Sequence, residues 1–227
     1  MNVLKRVNAV GDMQKDRAGV TKRGVSTVLM AVSIVTLLVA CASPSPAPVL
    51  LTIPPSASVS VPTAAATPPD ASASTPLLAV RRVNIPEYMV ARRVRYRADP
   101  ATMAEWPNTY WAERIEIGIS REFVSALRQQ LPGWAMCDTN CGDLSPTLSL
   151  QIDLVPMDYV RSTQKLQARA RITVSGPGAL PVVLKTSEST YDLPGSGDTA
   201  QSQAQTIATL IQQVAAAAGP MVRSTKQ

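Results

Sequence analysis

Apolar and polar residues alternate over 147–155, with Leu148, Leu150, Ile152 and Leu154 on one side. The same period of two runs through 165–176, carried by Leu166, Ala168, Ala170, Ile172 and Val174. Successive side chains of a strand point to opposite faces, so each stretch predicts a half-buried strand. Pro177-Gly178 is a turn signal, and 180–193 completes an antiparallel run of three. Upstream, 77–89 predicts a short strand broken at Pro86, since proline cannot donate to a ladder. Residues 90–98 predict another, with Val90, Arg92, Val94 and Tyr96 in one row and Arg93, Arg95 and Arg97 in the other. The arginine row reads as a solvated strand face before it reads as a surface for lipid headgroups or an acidic partner.

Two stretches follow the helical period instead. Trp111, Ile115, Ile119, Phe123 and Leu127 recur every four residues, which predicts an amphipathic helix over 108–131 packed on the core. Asn108 or Thr109 would cap it, Glu113 lies near its positive end, and Pro132-Gly133 stops it. Asp198 followed by Gln201 reads as a capping box for a second helix. Its stripe is Ala204, Ile207, Ile211, Val214 and Ala218, and Gly219-Pro220 would close it, leaving 221–227 as a flexible end. The predicted order is β-β-α-β-β-β-α. One mixed or antiparallel sheet with two helices packed on one face satisfies it, an α+β fold over 77–220.

The first 76 residues have neither period. Residues 25–40 are an uncharged run of 16 apolar and small residues, short for a bilayer span of about 20. Lys5, Arg6, Lys15, Arg17, Lys22 and Arg23 precede it, the charge pattern of a secretory signal over 1–40. Ala40-Cys41-Ala42 fits the small-x-small rule of ordinary signal peptidase, but Leu38-Val39-Ala40-Cys41 also resembles the bacterial lipobox, the reading favoured by the run, the spacing and the stretch that follows; there diacylglycerol alkylates the cysteine thiol and cleavage leaves that cysteine as the new N-terminus. Each buried methylene of such an anchor adds about 0.8 kcal/mol. Ala42 after the cysteine resembles the sorting signal for the outer membrane of a Gram-negative cell, facing the periplasm. Residues 42–76 hold nine of the 19 prolines and one charge, Asp70. That composition cannot offset its own ordering entropy, so the segment reads as a tether. VLLTI, 49–53, is its exception and a candidate for docking.

The net charge of +6 looks basic, but removing the leader's six bases and two acids leaves 16 against 14. Nucleic-acid binding therefore has little support. No histidine is present, which removes the commonest general base and metal ligand. Cys137 and Cys141 enclose three turn-forming residues; an oxidising compartment favours a disulfide, and two thiolates alone make a poor zinc site. Asp153 and Asp158 are weak candidates for paired carboxylates. No cofactor, metal site or catalytic constellation is expected.

The stretch 80–131 resembles the PqiC/YmbA family of ABC-transport auxiliary lipoproteins. The matching residues are Val83, Ile85-Pro86, Tyr88, Arg92 and Val94, then Trp111-Ala112-Glu113. The order of strands and helices is similar across 77–220; the chain departs in carrying Ala91 where the family often has aspartate. The resemblance implies a non-catalytic auxiliary of an MCE-type lipid-transport system that maintains the envelope. Its partners would be an MCE-domain protein with an ABC permease and ATPase, and Ile85, Pro86, Tyr88, Arg92, Trp111 and Glu113 would be interface residues. A homo-oligomer is left open. The alternative is a structural or assembly lipoprotein of the envelope with no lipid route.

Overall fold

A computed structural model describes residues 46–55, 75–137, 141–178 and 181–226. The expected signal segment 1–40, Cys41 and residues 42–45 and 56–74 of the expected tether lie outside the described residues. From Ala47 onward the chain builds one unit around a single mixed sheet. Its elements are β1 (Val49–Leu51), β2 (Leu77–Val80), a 3-10 turn (Glu87–Met89), β3 (Arg93–Asp99), β4 (Thr102–Trp111), α1 (Ile115–Gln130), β5 (Ala135–Cys137), β6 (Leu148–Val160), β7 (Lys165–Ser175), β8 (Val183–Pro194) and α2 (Ala200–Lys226).

β6 is the spine of the sheet. Along one edge it pairs antiparallel with β7, which pairs antiparallel with β8. Its other edge takes β2 in parallel near the start and β3 in parallel at Val160. β4 lies antiparallel to β3, and β5 runs parallel to β2 at the far side. The period-two residues of β6 and β7 are all buried, as their alternation predicts. α2 lies along β6, β7 and β8 and packs against α1, so the two helices cover the apolar face together.

VLLTI docks. Val49–Leu51 pair in parallel with Thr109–Trp111, Ala112 N–H donates to Leu51 O at 2.8 Å, and Ile53 is buried in the core. The flanking prolines bring no missing bond, because β1 is an outer strand.

Three sequence expectations are corrected. The helix predicted from 108 begins at Ile115; residues 108–111 belong to β4, and Trp111 reaches the core from a strand. The four-residue spacing continued across the junction by coincidence. Pairing with β3 and β1 satisfies the backbone there, and Asn108 sits at φ 49°, outside helical geometry. No side chain caps α1. The second helix is capped by Thr199, whose Oγ1 accepts from Ser202 N–H at 3.1 Å, while Asp198 is held by Arg161. That hydrogen bond draws the Asp198 carboxyl below its ordinary value.

The third correction is at Gly219-Pro220, which α2 passes through to Lys226, burying Met221 and Val222 beyond it. Gly219 is a packing residue. A Cβ there would sit 2.7 Å from Gln130 Cβ at the end of α1. Glycine in a helix interior ordinarily costs about 1 kcal/mol against alanine, so Gly219→Ala should stabilise on propensity alone. We expect the opposite: a loss of about 1–3 kcal/mol from overpacking, read as a lower urea midpoint. A raised midpoint would contradict the close helix contact.

Candidate functional site

The segment 81–92 leaves β2, passes through the 3-10 turn and enters β3 beside α1. Three concavities lie in the groove between this segment and α1, and they share walls. The first, about 350 Å³, is bounded by Arg81, Arg82, Arg121 and Arg128 over Val80, Ile117, Val124 and Met136. The second shares Arg82 and is walled by Ile85, Glu87, Val90, Arg114 and Glu116. The third, about 320 Å³, shares Val90, Arg114 and Glu116 and adds Arg92, Trp111, Ala112, Glu113 and Ile115.

Four of the six residues singled out by resemblance therefore meet along one groove: Ile85, Arg92, Trp111 and Glu113. They come from the segment 81–92 and from the end of β4 with the residues that follow it, 29 positions of sequence in all. β4 brings Trp111, its end delivers Glu113, and the approach to β3 supplies Arg92. Pro86 and Tyr88 stand behind the groove wall. Pro86 is buried at the start of the 3-10 turn. Tyr88 Oη donates to Asp158 Oδ1 at 2.9 Å, and Arg95 donates to Tyr88 O at 3.1 Å. Burial, then the Asp158 hydrogen bond, raises the Tyr88 hydroxyl above its ordinary value. The turn is thus fixed by β3 and β6.

The polar groups of the third concavity are unevenly satisfied. Glu116 is buried; its Oε1 pairs with Arg114, while its Oε2 has no hydrogen-bond partner among the described residues. Trp111 Nε1 is buried and lacks one as well. An unpaired buried donor or acceptor costs about 1–3 kcal/mol, so the fold carries this pair at a loss. Ser120 at the neighbouring turn is fully used: it accepts from Val83 N–H at 3.0 Å and donates to Glu116 O at 2.6 Å. Arg121 bonds Glu113 at 2.8 Å and Glu122 at 3.1 Å. Arg81, Arg82, Arg92 and Arg128 make no ion pair with a described residue.

The arginine row of β3 is occupied. Arg93 pairs with Glu105 at 3.3 Å and lies over the Tyr110 ring. Arg95 shares Glu105. Arg97 pairs with Asp158 at 2.9 Å. Burial alone would lower Arg97, but Asp158 and Tyr88 together outweigh it and the guanidinium is raised overall. Asp158 is therefore held by Tyr88 and Arg97, and Asp153 by Asn84 and Gln151, so the two do not act as a carboxylate pair. Cys137 and Cys141 are joined in a disulfide. Its short loop contributes about 2 kcal/mol in the chain-entropy account. Among the described residues no cluster of three metal-ligating side chains exists, and no helix is long and apolar enough to cross a membrane.

Sequence reasoning missed Glu116, Arg81, Arg82 and Arg128. Arg81-Arg82 directly after the apolar LLAV was a legible signal. The others become a site only when α1 lies beside 81–92.

Residues 58–218 match the family described as "ABC-type transport auxiliary lipoprotein component", and the chain belongs to it. The family is one of auxiliary components of transport systems. Two solved structures share the fold. One, an uncharacterized protein, has a TM-score of 0.60 at 14% identity, covering 78% of this chain and 99% of its own. The other is protein XCC0632 from Xanthomonas campestris, of the family DUF330. Its TM-score is 0.53 at 17% identity, covering 80% of this chain and 95% of its own. No curated protein matches the chain.

Proposed function

We propose that the protein is a non-catalytic docking subunit of an MCE-type ABC lipid-transport system, anchored through Cys41 in the outer membrane and facing the periplasm. Membership in the auxiliary family supports the transport role. The lipobox ending at Cys41 supports the anchor. The observation that carries the docking role is the convergence of Arg92, Trp111 and Glu113 on one concavity, where the exposed Arg92 makes no ion pair with a described residue. Arg92 offers a pairing site for a carboxylate of a partner protein at the mouth of this concavity.

Docking of β1 changes how far the domain can travel. Only residues 42–48 separate Cys41 from the first paired strand. Seven residues span at most about 25 Å, against roughly 110 Å had all of 42–76 been free and extended. The domain is held at the surface of its own membrane, and the transport partner comes to it.

Arg92→Glu tests the docking role. Arg92 is exposed, so its replacement should change stability by no more than about 0.5 kcal/mol. Recovery of the MCE-domain protein with the affinity-purified variant should fall several-fold. Undiminished recovery would remove this concavity from the interface.

A further inference from the structure

The other end of the groove has a different character. Arg81 and Arg82 follow β2 directly, and Arg121 and Arg128 lie seven residues apart on one face of α1. Arg121 is engaged by Glu113 and Glu122. The remaining three guanidiniums border the same concavity with no described carboxylate to neutralise them. Below them the floor is apolar: Val124 and Met136 are half-buried, and Ile117 is 40% exposed. Cations over an apolar floor match a ligand that carries an anionic group beside methylenes. Guanidinium forks pair with phosphate oxygens two at a time, which suits this rim to a phosphate.

We infer that this concavity is a headgroup site for an anionic phospholipid of the membrane that holds the anchor. At about 350 Å³ it takes a headgroup and the first methylenes, while the acyl chains stay in the bilayer. The choice of a lipid over an acidic peptide rests on the leash. With Cys41 acylated and β1 docked, the domain stays within about 25 Å of the lipid surface. Headgroups are then the anion at highest local concentration. This part of the argument depends on the anchor proposed above; the charge and shape of the concavity do not.

The test uses the mature chain from residue 41 with Cys41→Ser, so that no acyl group contributes. It is sedimented with phosphatidylcholine vesicles, with and without phosphatidylglycerol. Binding should require phosphatidylglycerol. The triple variant Arg81→Gln, Arg82→Gln, Arg128→Gln should bind about 100-fold more weakly. A control losing the same three charges on β7 and β8 (Arg169→Gln, Arg171→Gln, Lys185→Gln) should bind as the parent does. Thermal melting checks that both fold; Arg128→Gln alone, on an exposed helical position, should still cost roughly fivefold. Equal losses in both triple variants would reduce the effect to net charge and overturn the site. So would binding to pure phosphatidylcholine, displacement by inorganic phosphate matched to the lipid concentration, or displacement by a short polyglutamate peptide. Failure of the anchor itself reads separately, as absence of acyl label on the native chain in cells.

Discussion

Cys41→Ser should abolish acyl labelling and leave the chain as an unprocessed precursor retaining residues 1–40. No smaller effect is expected, because in a lipobox the cysteine thiol is the acceptor and processing follows acylation. A hydroxyl at this position leaves the apolar run 25–40 intact for export but gives the acyl transfer no sulfur. The parent should fractionate with outer membranes and the variant should not. If the variant is instead cleaved normally and the parent is found free in the periplasm, the run is an ordinary secretory signal. In that case the leash of residues 42–48 has nothing to hold, and β1 serves only the fold.

Ile53→Asp should release β1. Ile53 is 3% exposed and packs against α1, with its side chain 3.6 Å from where a Cβ on Gly118 would lie. A carboxylate cannot stay there unpaired, and undocking the strand costs less than burying the charge. The loss is then that of one buried isoleucine, about 3 kcal/mol, a fall in Tm of roughly 6–12 °C for a domain of this size. Amide exchange at Ala112, whose N–H donates to Leu51 O, should rise sharply, while exchange along β6 and β7 should rise only with global stability. The leash would lengthen from seven residues to the 35 of 42–76. A fluorophore on β8 of the acylated protein should then be quenched less by a lipid-phase quencher. Unchanged exchange at Ala112 would show that the strand holds without Ile53.

How much of this was legible depends on which groups decided each element. β6 and β7 read cleanly because one face of each is buried along its whole length, so the period of two survives in Leu148 to Leu154 and Leu166 to Val174. β4 did not. Its sequence, TMAEWPNTYW, carries Pro107 and the positive-φ Asn108, and its register against β3 shifts between Arg93 and Arg95. The irregular strand left no period of its own, and Trp111 was absorbed into the stripe of α1. Gly219-Pro220 reads as a stop in any local scheme; only the approach of Gln130 explains why a glycine sits there.

The site divides the same way. Arg92, Trp111 and Glu113 were found by resemblance, and the fold brings them together. Tyr88 and Pro86, from the same motif, turned out to brace the wall behind. Glu116 gave no signal, since a glutamate in the first turn of a helix is ordinarily a solvated partner of the dipole; here it is buried and half satisfied. The basic end was legible only in part. Arg81 and Arg82 stand together after LLAV, but only the packing of α1 beside 81–92 brings Arg128 to them.

The docking role is tested most directly by a photoreactive side chain placed at Ala112. This residue is exposed on the rim of the third concavity, and its side chain makes no hydrogen bond. A matched probe at Thr190, exposed on β8, serves as the comparison. In cells, illumination should join the Ala112 probe to the MCE-domain component of the transport system and leave the Thr190 probe without that adduct. An adduct to that component from Thr190 at equal or greater yield, or none from Ala112, would contradict the assignment of the third concavity as the surface that meets the transporter.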